Sequence, residues 1–115
     1  MRCLLLYRRQ ARCNLLTVSD IMREHRLTSI NLLKIDVERA ELDVLRGIAA
    51  SDWQRIQQVT AEVHDWRGRK SEVEDILTAH FNHVTVEQTG DLKHSTLYNV
   101  YCTRTQAYMA GGDVR

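Results

Sequence analysis

The stretch 31-NLLKIDVERAELDVLRGI-48 decides the fold that we predict for this chain. Residues 31–37 form a compact apolar run of strand length. Residues 38–48 follow the period of a helix, and Gly47 near their end is a typical helix-stop signal. One face of this helix is apolar and consists of Val37, Ala40, Val44, Leu45 and Ile48. A buried strand that runs directly into an amphipathic helix is the repeating unit of an α/β fold.

The chain before this stretch predicts a short amphipathic helix. Thr17 occupies an N-cap position, and Asp20 three residues later completes a pattern like a capping box. The residues that recur at helical spacing are Val18, Ile21, Met22 and His25. We expect this helix to end near Leu27.

The chain after the stretch predicts a turn, a strand and a longer helix. The segment around Trp53 is interpreted as a single turn, and residues 59–64 alternate between apolar and polar side chains as a strand does. Ser71 and Glu74 form a predicted capping box for the next helix. Its apolar face fits the helical template at every position, with Val73, Ile76, Leu77, His80 and Phe81.

Two further strands, at residues 83–88 and 96–103, complete the predicted order. Alternating strands and helices predict parallel pairing with right-handed crossovers. About seven residues separate the last two strands, which is too few for a crossover and predicts an antiparallel hairpin. The fold class is therefore α/β, with parallel strands that end in an antiparallel hairpin.

The length and charge of the chain exclude several classes of function. It has 115 residues, 16 Lys and Arg against 15 Asp and Glu, and a formal net charge of +1. Proteins that bind nucleic acid or membrane surfaces usually have a clear basic excess, so we predict neither partner. No apolar run reaches the roughly 20 residues needed to cross a bilayer.

Cellular location and redox state follow from the N-terminus and the cysteines. The start 1-MRCLLLYRRQAR-12 has too short an apolar core for a signal peptide. Cys3, Cys13 and Cys102 form no C-x-x-C pair, so neither a disulfide framework nor a zinc ribbon is predicted. We expect reduced thiols, no metal site and a cytoplasmic location.

Four polar residues at two strand ends are the candidate site. In parallel sheets, ligands bind beyond the carboxyl ends of the strands. Asp36 and Glu38 lie at one such end, and Glu62 and His64 at another, so the four converge if the strands are neighbours. Carboxylates beside an imidazole can transfer protons, orient a hydroxyl or bind a divalent cation. For Glu41 we favour a simpler role, in which its charge stabilises the first helical turn.

Other candidates are weaker. His80 and His83 have an H-x-x-H spacing, but we interpret them as a packed and a surface histidine. Trp53 and Trp66 are read as core or capping residues, with pocket walls as the alternative. The basic cluster 67-RGRK-70 is interpreted as a solvated turn.

The segments 17–48 and 58-QVTAEVHD-65 resemble the C-terminal half of FkbM-type methyltransferases, and the core LLKIDVE-x-AE-x-x-VL-x-G carries the resemblance. That family comprises S-adenosylmethionine-dependent O-methyltransferases, some of them in polyketide and peptide assembly lines. The resemblance implies the C-terminal half of a Rossmann-like sheet over roughly residues 17–103. It also implies that Asp36, His64 and Glu62 are catalytic, and that Asp36 and Glu38 contact the cofactor. The acceptor would be a small hydroxyl or carboxyl compound, such as a polyketide or peptide intermediate.

The chain departs from the family pattern in two ways. Arg39 stands where many members have glycine, and we expect it to be compatible with a helix start. Nothing before Thr17 resembles the glycine-rich cofactor-binding half of the family. We therefore divide the chain into an N-terminal extension or remnant strand at 1–16, a half-domain at 17–104, and a flexible tail at 105–115.

Two functions remain open from the sequence. The first is a methyltransferase fragment that lacks its cofactor-binding N-terminal half. The second is a non-catalytic α/β module, whose open sheet edge pairs with a second copy or another chain. The strand at residues 31–37 has no obvious partner on one side, and residues 3–7 are a hypothetical cover for that edge.

Overall fold

The computed structural model describes residues 10–88 and 95–104. The helices are α1 (Val18–Glu24), α2 (Glu41–Arg46) and α3 (Arg69–His80), with a 3-10 turn at Trp53–Arg55. The strands are β1 (Leu33–Ile35), β2 (Gln58–His64), β3 (His83–Glu87) and β4 (Leu97–Thr103). The predicted element order is confirmed.

The strands of the described ranges form one sheet in the order β1-β2-β4-β3. β1 and β2 are parallel, with Ile35 opposite Ala61, whereas β4 is antiparallel to both β2 and β3. The α/β class, the parallel pair and the final antiparallel hairpin are thus as predicted. The last strand enters the sheet between β2 and β3, which places β2 in the interior of the sheet.

The alternation of β2 separates its two faces. Val59, Ala61 and Val63 are buried, while Thr60, Glu62 and His64 are half-buried. The buried side chains join one core with Leu45 of α2 and Leu77 of α3, among others. Full burial of one such aliphatic side chain stabilises a fold by about 1.5–3 kcal/mol. The two helices therefore pack against the same face of the sheet.

β1 is shorter than the sequence predicts. Only residues 33–35 form strand, and Leu32 and Val37 on either side are 56% and 38% exposed. In the part of the sheet that is described, β1 pairs only with β2, and this pairing stops at Ile35 although β2 continues to His64. An open groove of about 590 Å³ lies between α1, β1 and α2, with Ile21 and Val44 among its apolar lining.

The predicted helix starts are correct for α1 and wrong for the other two helices. Thr17 and Asp20 form the capping box, although α1 ends at Glu24 instead of near Leu27. Arg39 is not part of a helix start: its φ of 72° is left-handed, and α2 begins at Glu41. A non-glycine residue is strained in that region of backbone conformation, which glycine adopts without this cost.

The capping box predicted at Ser71 and Glu74 is also absent. α3 begins earlier, at Arg69, and its N-cap is Gly68 with a φ of 75°. No side chain caps this helix, because its N-cap residue is a glycine. Glycine adopts the left-handed backbone at this position without strain.

The amino end of β2 is held by an arginine. Arg104 donates through Nε to the carbonyl oxygen of Ile56 at 2.8 Å and through Nη1 to that of His80 at 2.8 Å. It also donates through Nη2 to the carbonyl oxygen of Trp53. Trp53 is 4% exposed and stacks on His80, with ring centroids 4.2 Å apart. Trp53 is thus a core residue and His80 a packed histidine, as interpreted from the sequence.

Several predictions lie outside the described residues. These are the cover at residues 3–7 and the tail at 105–115. Within residues 10–88 and 95–104, no helix has the length and apolar character that crossing a membrane requires.

Candidate functional site

The carboxyl end of β2 contains a histidine–carboxylate pair. His64 Nδ1 lies 2.7 Å from Oε1 of Glu41, the first residue of α2. Glu41 is 3% exposed, whereas the His64 side chain is 24% exposed. A buried carboxylate therefore holds an imidazole that stays accessible to a ligand.

The ionisation of Glu41 determines which nitrogen of His64 can react. Burial by itself would raise the pKa of Glu41, but the hydrogen bonds from His64 and from backbone N–H groups outweigh burial. The pKa of Glu41 is lowered from its ordinary value of 4.5, so Glu41 is a carboxylate at neutral pH. A carboxylate only accepts, so the neutral imidazole donates from Nδ1, and its Nε2 has a free lone pair.

The backbone of the turn before α2 positions Glu41. The backbone N–H of Arg39 donates to Glu41 Oε1 at 3.1 Å, so the same carboxylate oxygen accepts from two sources. Because β1 and β2 are parallel, the turn after β1 and the end of β2 lie at the same edge of the sheet. The topology thus brings together residues that are 23 positions apart in the sequence.

The four residues predicted for the site differ in burial and in contacts. Asp36 and Glu38 are exposed at the end of β1, and Glu62 is half-buried on β2 opposite Asn99. Ile35 pairs with Ala61, so Asp36 and Glu62 are the next residues along the two strands. No hydrogen bond or ion pair joins these three carboxylates to other side chains in the described part of the chain. His64 is thus the predicted site residue that the fold brings into a defined contact.

Glu41 is the functional candidate that the sequence reasoning assigned to a simpler role. It lies in the first turn of α2, as that role requires, but its side chain is buried against His64. The usable signal was its position one turn after Glu38, at the start of a helix that follows a parallel strand. Such a helix begins at the same sheet edge as the end of the neighbouring strand.

Other reactive groups do not enlarge this site. Among residues 10–88 and 95–104, no cluster of three His, Cys, Asp or Glu side chains is arranged to hold a metal ion. Cys102 is buried in the core, and burial raises the pKa of its thiol to about 12. A thiol of this kind stays protonated and is a poor nucleophile.

Comparisons with known proteins give a consistent family. The profile of the methyltransferase FkbM domain matches residues 7–91. The 31-O-demethyl-FK506 methyltransferase FkbM of Streptomyces tacrolimicus is 42% identical over 88 residues, which are 76% of this chain and 34% of that protein. Methyltransferase 1 of Beauveria bassiana is 39% identical over 72 residues, which are 62% of this chain and 29% of that protein.

A larger protein contains a similar segment. The AMB antimetabolite synthetase AmbE of Pseudomonas aeruginosa is 38% identical over 98 residues, which are 81% of this chain and 5% of that protein. No solved structure matches the chain. The chain therefore spans about a third or less of the length of the curated relatives that it matches.

Proposed function

Because the chain belongs to the FkbM methyltransferase domain family, we propose that it forms part of an S-adenosylmethionine-dependent O-methyltransferase. In this proposal the chain is the C-terminal half of a Rossmann-like sheet, and its cofactor-binding N-terminal half lies in the part of the domain that the chain does not span. The observation that carries the proposal is the pair formed by His64 and Glu41 at the carboxyl end of β2.

His64 is proposed to accept the proton of the acceptor hydroxyl. Because Glu41 accepts from Nδ1 of the neutral imidazole, Nε2 is the nitrogen that carries a lone pair and can accept a proton. Proton removal of this kind accelerates reactions by about 10²–10⁴-fold when the base is well positioned. Glu62, next to His64 on the same face of β2, is proposed to support the acceptor by accepting a second hydrogen bond.

Two exposed carboxylates fit part of the cofactor. S-adenosylmethionine supplies a methyl group on a positively charged sulfur, and it presents ribose hydroxyls and an ammonium group as hydrogen-bond donors. Asp36 and Glu38 are acceptors without a side-chain partner in the described ranges, so their chemistry matches those donors. We assign them to the polar part of the cofactor and assign no described residue to the adenine ring.

The acceptor class is taken from chemistry and from the relatives. A hydroxyl or carboxyl oxygen needs a nearby base or hydrogen-bond acceptor, which His64 provides. One relative is named as a methyltransferase of 31-O-demethyl-FK506, and another as an antimetabolite synthetase. Both names support a small molecule, such as a polyketide or peptide intermediate, as the acceptor. A cytoplasmic location stays a prediction.

A chimera tests this function. Residues 17–104 would replace the matching segment of the Streptomyces tacrolimicus methyltransferase, and transfer of a labelled methyl group to that enzyme's own substrate would be measured. We expect His64→Asn to lower kcat by about tenfold or more, because Nε2 of the base is lost. His25→Asn is the matched control, since His25 is exposed at the C-cap of α1. A folded chimera that binds cofactor but transfers no methyl group would contradict the proposal, as would equal rates for the two variants.

The groove beside β1 favours a second function. Its apolar lining, and the edge of β1 that pairs with no described residue, are suited to strand pairing with another polypeptide segment. The occupant that we propose is the part of a methyltransferase domain that this chain does not span, with pairing to a second copy as the competing outcome. If the module is non-catalytic, S-adenosylmethionine titrated into the chain together with the N-terminal segment of a relative should release no more heat than with that segment alone. Cofactor binding that requires both pieces would contradict a purely non-catalytic role.

A further inference from the structure

Three arginines surround one exposed indole beside the candidate site. The guanidinium carbons of Arg39, Arg67 and Arg69 lie 5.4, 4.4 and 5.2 Å from the centroid of the Trp66 ring. Trp66 is 38% exposed, so the group is open to solvent. We call these four residues the arginine–tryptophan cluster.

The cluster is joined to the histidine–carboxylate pair through the backbone. The N–H of Trp66 donates to the carbonyl oxygen of His64 at 2.9 Å, and the N–H of Arg39 donates to Glu41 Oε1 at 3.1 Å. Nη1 of Arg69 donates to the carbonyl oxygen of Arg39 at 3.1 Å, which links the turn after β1 to the turn after β2. The cluster therefore belongs to the same edge of the sheet as Nε2 of His64.

The positive charges of the cluster lack a carboxylate partner among the described residues. None of the five ion pairs found within residues 10–88 and 95–104 includes Arg39, Arg67 or Arg69. Arg46, by contrast, pairs with Glu72 at 3.1 Å on the nearby surface. A cation–π contact at an exposed site is worth about 0.5–1 kcal/mol, and the three guanidinium groups share one indole. Three guanidinium groups in this arrangement are complementary to an anion.

The backbone of the cluster is held in an uncommon conformation. Arg39 and Arg67 have φ values of 72° and 55°, and each is a non-glycine residue in the left-handed region. Such residues cost of order 1–3 kcal/mol each and occur often at ligand-binding sites. Two of the three arginines therefore lie on strained backbone at the edge of the sheet that holds His64.

We propose that the arginine–tryptophan cluster binds an oxyanion, a carboxylate or phosphate group, on the methyl acceptor. This inference rests on the proposed function, because it names the acceptor class as a small anionic molecule whose reacting oxygen lies at His64. Arginine binds carboxylate and phosphate with paired hydrogen bonds, and the indole provides a flat surface for an adjoining apolar part. The chain's net charge of +1 favours a small anion over a nucleic acid.

Phosphate titration of the intact chain tests the site directly. Inorganic phosphate and succinate would be added at constant ionic strength, and the fluorescence of Trp66 would be followed above the constant signal of buried Trp53. We expect saturation, and about three- to tenfold weaker binding in Arg39→Gly because one charge-assisted contact is lost. This variant should fold, since glycine accepts the backbone of residue 39 without strain. Circular dichroism would establish the fold of each variant.

The control is Arg12→Gln, which removes the same charge from an exposed residue that is not among the arginines in contact with Trp66. Unchanged phosphate affinity in this variant supports the proposal. A non-saturating signal, or equal weakening in Arg12→Gln and Arg39→Gly, would overturn it. S-adenosylhomocysteine that binds with the same dependence on Arg39, and that phosphate displaces, would assign the cluster to the cofactor and also overturn it.

The outcomes of the two tests separate the two proposals. The phosphate titration needs neither cofactor nor methyl transfer, so its failure would leave the result of the chimera intact. An inactive chimera together with saturable, Arg39-dependent phosphate binding would remove the methyltransferase proposal and leave an anion site.

Discussion

The two ends of β2 contain similar side chains in different settings. At the amino end, Trp53 stacks on His80, and the guanidinium of Arg104 donates to three backbone carbonyls. At the carboxyl end, His64 contacts Glu41, and Trp66 is surrounded by three arginines without a described carboxylate partner. Both ends thus combine a histidine, a tryptophan and arginine.

The two ends differ in how many of their polar side-chain groups form hydrogen bonds within the protein. Arg104 donates hydrogen bonds to the protein backbone, and His80 is stacked and half-buried. The groups at the amino end therefore stabilise the fold. At the carboxyl end, the His64 side chain is 24% exposed, and Arg69 Nη1 is the one guanidinium donor of the cluster with a hydrogen bond to a described residue. A set of oriented, unused polar groups at a sheet edge is characteristic of a ligand-binding end.

The largest expected effect comes from breaking the amino end. Arg104→Ala should lower the free energy of unfolding by about 2–4 kcal/mol, because it removes hydrogen bonds to three backbone carbonyls, of which only that of Trp53 keeps another donor in the described part of the chain, the N–H of Ile56. Arg67→Asn, at the other end, should change it by only about 0.5 kcal/mol or less, since asparagine also accepts a left-handed backbone. Urea unfolding followed by circular dichroism measures both. Equal losses would show that the two ends are not built differently.

An intermediate effect is expected within the carboxyl end. Glu41→Ala should cost about 1–3 kcal/mol, because the variant removes a buried acceptor from His64 and from the N–H of Arg39. Glu38→Ala, an exposed neighbour, should be nearly neutral. The same unfolding measurements apply, and a larger loss for Glu38→Ala would contradict the assignment of Glu41.

The difference in stability between the wild-type chain and Glu41→Ala should also depend on pH. The folded-state pKa of Glu41 is lowered from 4.5, so its stabilising effect is complete above that value. As the pH falls below 4.5 and through the folded-state pKa, the wild-type chain should lose this advantage over Glu41→Ala. An advantage that grows in acid would contradict the direction of the shift.

The smallest expected effect concerns His80. Burial, with a further contribution from the charge of Arg104, lowers the pKa of His80 below its ordinary value of 6.5. The unfolded chain therefore binds a proton at a higher pH than the folded chain, and stability should fall as the pH drops through and below 6.5. His80→Phe keeps the ring stacked on Trp53 but cannot titrate, so its stability should fall less over this range. Parallel curves for the two proteins would contradict this prediction.

The sequence predicts those features that depend on neighbouring residues. Thr17 and Asp20 are three positions apart, and their capping box forms as predicted. The alternation of β2 reveals its buried face, because one side of that strand alone meets the core. The length of β1 could not be predicted, since the apolar run at residues 31–37 does not reveal that its pairing with β2 stops at Ile35.

The sequence predicts the sheet edge at which His64 lies, but it does not predict the contact between His64 and Glu41. His64 and the sheet edge follow from strand order, but the contact with Glu41 depends on where α2 begins. That start depends in turn on the left-handed turn at Arg39, which no periodicity encodes. The basic cluster 67-RGRK-70 is interpreted from its sequence as a solvated turn. Its first two residues form an exposed turn, but its last two begin α3, and Arg67 and Arg69 lie beside Trp66.

The tautomer of His64 is the most direct test of the central claim that Glu41 holds the imidazole with Nε2 free. A long-range proton–nitrogen NMR spectrum of the intact chain at about pH 8, where a histidine is ordinarily neutral, reports which nitrogen bears the proton. We predict a single species with the proton on Nδ1, and a shift toward a mixture of tautomers in Glu41→Gln. A proton on Nε2, or the same mixture with and without the Glu41 carboxylate, would contradict the account.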